Sequence, residues 1–437
     1  MRRVPLLALI VLLVAAGPAA LSANDPGAVN QWGLAKVGAE LAWSTSTGTG
    51  VVVAVVDTGV DLSHEDLKAN LVPGRSMISG ESNRGPQDDN GHGTHVAGIV
   101  AAVANNGRGV AGVAPTAKIM PVRVLKDAGD GSGDASGSMN DVVAGIKWAV
   151  DNGAKVVNLS LGEDVLIRTV LGSSMEEGLN YAWSRGAVPV VAAGNDMLFP
   201  SGYGDVPAVV VSATDRNDGK PSYSNGVGSA RWGMAAPGGS SGATNGILSS
   251  YWVSGKANQY AYLSGTSMAA PHVAGAAALL RAKGLSPQQT VDKLLGTAKD
   301  IGAAGRDSVF GSGRLDAAAA VAGLGGGPAV GGPAAPPSSG SATSGRLPSA
   351  GGAKRPAAQA APRPGGAPAG APGSSTAAPA PSEAPTAETG AASAAPRAAG
   401  ARPARSEQKG VLPMAGLAAA MLAAGSSIAF FRLRGRP

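Results

Sequence analysis

Three short segments carry the side chains needed to make a hydroxyl group attack a carbonyl carbon. Val55-Val56-Asp57-Thr58-Gly59, Gly91-His92-Gly93-Thr94-His95 and Gly265-Thr266-Ser267-Met268-Ala269-Ala270-Pro271 supply, in that order, an Asp, a His and a Ser. A serine hydroxyl is a weak nucleophile at neutral pH. It needs a base to take its proton, and that base needs a carboxylate to fix its tautomer and steady the imidazolium. Ser267, His92 and Asp57 match those roles, spaced 35 residues from Asp57 to His92 and 175 from His92 to Ser267.

The surrounding elements must place the three together. Val51 to Val56 is an unbroken apolar run, which reads as a strand buried on both faces. Asp57 then stands at its carboxyl end, where open parallel sheets put their sites. His95 to Ala102 reads as a helix packed through small residues, with His92 at its first turn. Thr266-Ser267 opens a small-residue helix running from Met268 to Lys283 and ended by Gly284. Ser267 would lie at the helix N-terminus, where unpaired N–H groups favour negative charge. Pro271 is tolerable in the early turns, which need no intrahelical donor.

Each residue also has an ordinary reading. Asp57 suits a turn after a strand, Ser267 an N-cap, and Asn195 a turn after Gly194. Among the other histidines, His95 reads as packed, His272 as facing a different side of its helix from Ser267, and His64 as solvated in a polar loop. The conjunction of the segments in one order is what selects catalysis.

That order and those glycine-punctuated motifs resemble the subtilisin-like serine proteases. Asn24-Asp25-Pro26, Gln31-Trp32-Gly33 and Val55-Val56-Asp57-Thr58-Gly59-Val60 are most similar to the thermitase branch. The resemblance spans about Asn24 to Leu324. It implies an α/β three-layer fold, a mainly parallel central sheet flanked by helices, and peptide hydrolysis through an acyl-enzyme on Ser267. It further implies that Asn195, closing Val188-Pro189-Val190-Val191-Ala192-Ala193-Gly194-Asn195, donates its amide to the oxyanion beside the Ser267 N–H. Gly131, Ser132 and Gly133, with Ser160, Leu161 and Gly162, match the two edges that clasp an extended substrate as a middle strand. Ala192, Ala193 and Gly194 would wall the primary specificity pocket, with a floor near Ser201 and Gly202, favouring large apolar side chains. Structural calcium is implied at Asp66 and the loop Asn105-Asn106-Gly107-Arg108-Gly109, with Asn106 and Asp25 as further ligands; oxygen-only donors suit that ion. The plainer alternative is that Asp66 caps a turn. No cofactor is expected for the chemistry itself.

Composition divides the chain further. Arg2-Arg3, the apolar run Leu6 to Ala16 and small residues up to Ala23 read as a secretory signal peptide over 1–23. Cleavage near Ala23-Asn24 would leave 33 residues before Asp57, no room for the propeptide usual in the family. Residues 24–324 read as one peptidase domain. Residues 325–409 collapse to Gly, Ala, Pro and Ser and read as a disordered, partly polyproline-like linker. Residues 410–437 hold an apolar segment followed by Arg432, Arg434 and Arg436. Val411 to Phe431 is 21 residues, long enough for a transmembrane helix with a basic cytoplasmic end. The rival reading is a cell-wall sorting signal at Leu412-Pro413-Met414-Ala415-Gly416, in which Ala415 stands where a threonine is required. The helix is preferred because it needs no special motif. Either places the enzyme outside the cytoplasm, in the cell envelope, and the tethered layout resembles that of the mycosins.

The net charge of +6 comes from the tail. From Ala320 onward there are 11 basic and 3 acidic residues, leaving 24 and 26 ahead of it, so no basic patch suggests nucleic acid. Zero cysteines exclude disulfides, a thiol nucleophile and a cysteine metal site. A monomer acting on proteins or peptides is expected, either degrading generally or processing one exported partner. The competing class is an inactive surface module that binds peptides.

Overall fold

The computed structural model describes residues 23–79, 85–129, 134–161, 174–195, 203–242 and 244–325. In chain order the elements are α1 (Trp32–Lys36), α2 (Ala39–Ala42), β1 (Val52–Asp57), β2 (Arg75–Ser76), α3 (His92–Ala101) and β3 (Lys118–Arg123). There follow β4 (Lys126–Asp127), β5 (Ala135–Ser136), α4 (Met139–Asp151), β6 (Val156–Leu159), α5 (Ser174–Ser184), β7 (Val188–Ala192), β8 (Val209–Thr214) and β9 (Trp232–Pro237). The hairpin β10 (Ile247–Val253) and β11 (Lys256–Leu263) leads into α6 (Thr266–Ala282), α7 (Pro287–Gly296) and α8 (Ala317–Val321).

Seven strands form one sheet in the order β2-β3-β1-β6-β7-β8-β9, and every neighbouring pair in it is parallel. Helices cover both faces, which explains the continuous valine runs: a strand buried on two sides has no polar face to alternate with. Val53, Val55, Val156, Val188 and Val190 pack into the layer holding α3 and α6. Ala54, Val56, Val157, Leu159 and Val191 face the layer holding α4 and α5. Fully burying one valine is worth about 1.5–3 kcal/mol, so these runs anchor the sheet between its two helical layers.

Alternation then settles where the polar residues go. Asp57 shares parity with Val53 and Val55, and Asn158 shares it with Val156, so both lie on the face of α3 and α6. The chain steps from β1 to β3 on one side and later to β6 on the other. At Val53 the hydrogen-bonded neighbours are Ile119 and Val156, both far along the chain. The carboxyl ends of β1 and β6 therefore meet at a point where strand order reverses, the usual place for a site in such sheets.

The hairpin clamps α3 from above. Ser249 and Ser250 hydroxyls donate to the carbonyls of His95 and Thr94 at 2.8 and 2.9 Å. Gly98 makes this approach possible, since a Cβ there would run into both hydroxyls.

Candidate active site

Asp57 ends β1 fully buried. Its Oδ1 accepts from the Thr58 N–H at 2.8 Å and from His92 Nδ1 at 2.7 Å, while Oδ2 has no partner among the described residues. With Nδ1 donating, the neutral His92 ring presents Nε2 as an acceptor. His92 is the first residue of α3, and the glycines on either side are sterically required. Gly91 has φ 105° and lies against the Tyr251 ring; a Cβ at Gly93 would strike the Gly59 carbonyl oxygen. Burial pushes the His92 imidazole down, but the charge and hydrogen bond of Asp57, with Asp88 beyond it, outweigh burial and hold the pKa above the ordinary histidine value.

Ser267 is the second residue of α6 and nearly buried. Its hydroxyl donates to the Ser160 carbonyl at 3.0 Å, and the Ser160 hydroxyl donates to the Ser267 carbonyl at 2.8 Å. Pro271 explains the second bond. It has no N–H to offer the carbonyl four residues back, so that of Ser267 is free to accept from Ser160. Asn158 Nδ2 in turn donates to Ser160 Oγ at 3.0 Å. Asp57 and His92 are thus in contact, whereas Ser267 is engaged with Ser160 rather than His92 in this state.

Asn195 follows β7 through Gly194, whose φ is 101°. Its Oδ1 accepts from the Thr266 N–H at 2.9 Å and the Thr266 hydroxyl at 3.0 Å, which turns Nδ2 outward. A Cβ built on Gly265 would stand 3.5 Å from Asn195 Nδ2 and 3.6 Å from the Ser267 nitrogen, so the two donors flank one space. Sequence reasoning missed two supports of this corner. Thr266 orients the asparagine, and Asn225, buried, donates from Nδ2 to the Ala193 carbonyl at 3.2 Å and from its N–H to that of Gly194 at 3.0 Å. Thr266 was visible inside its motif; nothing local marks Asn225.

Ser160, Leu161, Ala192 and Ala193 are buried beside this corner. Gly131, Ser132, Gly133, Gly162, Ser201 and Gly202 lie outside the described residues, as do residues 1–22, nearly all of the expected signal peptide 1–23, and everything from 326 onward. No helix among the described residues is long and apolar enough to cross a membrane.

Two of the other histidines are poor bases. Burial drives His95 down to about 3, its Nε2 against the carbonyls of Ile247 and Ala261, and drives His272 down to about 4, its Nδ1 against the Met268 carbonyl. His64 corrects the expectation of a solvated residue. It is buried, with Nε2 3.0 Å from the Gln259 carbonyl oxygen and its ring edge-on to Tyr260, because the β10–β11 hairpin folds over the loop.

The expected calcium ligands do gather. Asp66 Oδ1 accepts from Asn106 Nδ2 at 2.8 Å, and Oδ2 accepts from the Val110 N–H at 2.8 Å and the Tyr260 hydroxyl at 3.0 Å. Asp25 accepts from the N–H groups of Asn105, Asn106 and Gly107 at 2.8–3.1 Å. Burial raises the Asp25 pKa against the pull of those N–H donors, and the Asp66 charge raises it further. Both carboxylates are buried, and no Lys or Arg among the described residues pairs with either. No group of three His, Cys, Asp or Glu side chains converges among the described residues.

Comparison with known proteins shows the family. Residues 48–313 match the subtilase family model. Thermitase of Thermoactinomyces vulgaris is 44% identical over 286 residues, which is 63% of this chain and 93% of that protein. Subtilisin Savinase of Lederbergia lenta is 41% identical over 298 residues, 66% of this chain and 98% of that protein. A solved protease from Pseudoalteromonas arctica superposes with a TM-score of 0.58 at 36% identity, covering 69% of this chain and 99% of its own. On fold, motif order and these relatives together, the chain belongs to the subtilase family and is a subtilisin-like serine endopeptidase.

Proposed function

We propose that Asp57, His92 and Ser267 form the catalytic triad of an exported, envelope-tethered endopeptidase. The observation that carries this reading is the 2.7 Å bond from His92 Nδ1 to the buried Asp57 carboxylate, beside an asparagine amide turned toward the serine. Substrate entry draws the Ser267 hydroxyl from the Ser160 carbonyl to His92 Nε2 by rotation about χ1. Nε2 takes the proton as Oγ bonds to the scissile carbon, and the carbonyl electrons move onto oxygen. Asn195 Nδ2 and the Ser267 N–H meet that oxyanion, in a space no side chain fills because residue 265 is glycine. His92 then returns the proton to the leaving nitrogen as the carbon–nitrogen bond breaks. The acyl ester on Ser267 is cleaved by water through the same steps.

Ser160–Leu161–Gly162 and Gly131–Ser132–Gly133 would pair with the substrate backbone, and Ala192–Gly194 would wall a pocket for large apolar side chains. Calcium would take the buried charge of Asp25 and Asp66, which has no basic counterpart among the described residues; to hold it, the carboxylate oxygens and Asn106 Oδ1, all engaged with N–H or O–H groups of the chain, would have to turn toward the ion. An ion there would pin the N-terminal arm to the loop 105–109 and supply stability, not chemistry. The basic-ended apolar tail would hold the enzyme at the membrane, which favours processing of an exported partner over free degradation.

A fluorophosphonate probe tests the central claim. Labelling of the parent that disappears in Ser267→Ala supports the triad; labelling that persists in the variant removes Ser267 from the role. Mass spectrometry of both termini of the protein isolated from its own envelope tests export and tethering, and a fragment found free in the medium with its tail intact ends the tether reading.

A further inference from the structure

Asp88 is a buried carboxylate, only 1% exposed, that none of the steps above uses. Its Oδ1 accepts from Thr58 Oγ1 at 2.8 Å, from the Asn90 N–H at 3.0 Å and from the Gly91 N–H at 2.9 Å. Its Oδ2 accepts from the Thr94 N–H at 2.9 Å and the Thr94 hydroxyl at 2.5 Å. Thr58 Oγ1, while donating to Asp88, accepts from the Gly93 N–H at 2.9 Å. The residue after Asp57 and the residues on both sides of His92 are therefore tied, directly or through one hydroxyl, to a single side chain.

We propose that Asp88 is a positioning residue for His92, fixing the imidazole over Asp57 and adding a second negative charge behind it. The geometry demands an acid. Five donors converge on the two oxygens, and an asparagine would turn an NH2 group against two or three of them. Gly91 precedes α3 at φ 105° and has no side chain to cap it, so the first N–H groups of the helix are met from outside: His92 by Asn90 Oδ1 at 3.2 Å, Gly93 by Thr58 Oγ1 at 2.9 Å and Thr94 by Asp88 Oδ2 at 2.9 Å. The charge acts on the base as well, since Asp88 contributes to the upward shift of His92. The titratable groups facing that ring are Asp57 from β1, Asp88 from the preceding loop and His95 from α3, the last kept neutral by burial. Tyr251 of β10 packs on Gly91, its phenol pushed up by burial and hence also neutral.

The inference rests on His92 being the base, so His92→Ala accompanies the test. Asp88→Asn in the full chain is expected to lower kcat roughly 10- to 100-fold with KM little changed, the scale of a misplaced catalytic group. The acidic limb of kcat/KM should move to lower pH, because an imidazole that loses a nearby negative charge releases its proton more readily. A limb that stays in place with kcat within about twofold of the parent overturns the proposal. Should Asp88→Asn fail to fold, Thr58 decides. Thr58→Val removes the bridging hydroxyl and should lower kcat without moving the limb, while Thr58→Ser restores it; a Thr58→Val enzyme equal to the parent overturns the proposal. An active His92→Ala enzyme would instead defeat the triad. Inactive His92→Ala beside an unaltered Asp88→Asn would defeat only the present inference.

Discussion

The corner of Asp57, His92 and Ser267 and the N-terminal clasp are both built around buried carboxylates, yet they use their hydrogen-bonding capacity in opposite ways. In the clasp every oxygen of Asp25 and Asp66 is taken by an N–H or O–H group of the chain. At the corner, Asp57 Oδ2 and Asn158 Oδ1 have no partner among the described residues, and Asn195 Nδ2 flanks the same space as the Ser267 N–H. Leaving a buried polar atom unpaired costs about 1–3 kcal/mol. Orphan atoms also occur elsewhere, at Ser212 and Thr214 of β8, so what marks the corner is their gathering beside Ser267 and His92. Capacity held in reserve prepares for charge that arrives only during reaction; capacity already used makes a staple. Changes at the corner should therefore alter rate without stability, and changes in the clasp the reverse.

The sharpest break of that contrast is Ser267→Ala. It should reduce peptide hydrolysis by at least about four orders of magnitude, with the thermal midpoint nearly unmoved, as read by peptide turnover and a melting curve. Parental turnover, or a large drop in melting temperature, would contradict it. Next is Asn195→Ala, expected to cut kcat about 100- to 1000-fold with little change in KM, because its amide meets charge that exists only in the transition state. An effect confined to KM would make Asn195 a substrate clamp.

The pH dependence sharpens the same contrast. The fold raises the His92 pKa, so the protonated form, which cannot act as base, persists above the ordinary histidine range. The acidic limb of kcat/KM should therefore lie above about 6.5, the unperturbed value. For stability the sign is the reverse: the His92–Asp57 contribution is complete below the unfolded-state pKa and is lost as pH rises through the raised folded value. A limb at or below the free-histidine value would show that burial, not Asp57, dominates.

The smallest effect on rate belongs to the clasp. Asp66→Ala strands the Val110 N–H and the Asn106 amide and should cost about 2–4 kcal/mol of unfolding free energy, with kcat/KM unchanged. A chelator should lower the melting temperature of the parent and not that of this variant. If chelation leaves the parent unchanged, the clasp is complete without calcium.

Much of this was legible because it is local. A valine run ending in Asp57 needs only the logic of a two-sided strand, and the glycines around His92 advertise close approach. The parts that were not legible depend on distant segments. His64 is buried by a hairpin that follows it by almost two hundred residues and meets it at Gln259. Asn225 acts through backbone groups and Asp88 largely so, and backbone partners leave no pattern in side-chain types. The clasp was visible as a set of oxygens, but Asn106 turns its NH2 toward Asp66 because its own Oδ1 accepts from the Arg108 N–H at 2.8 Å, and a string of letters does not encode that choice.

The central place of β1, between partners contributed by Ile119 and Val156, bears on how long one molecule survives among others of its kind. Parallel pairings between segments so far apart form late, after long loops have closed, and such topologies cross high barriers on the way in. Contacts completed only after that barrier lengthen the lifetime of the native state rather than speeding its formation. Neighbouring copies can cut a chain only while it is open, so for a peptidase without disulfides the rarity of opening sets how long it endures.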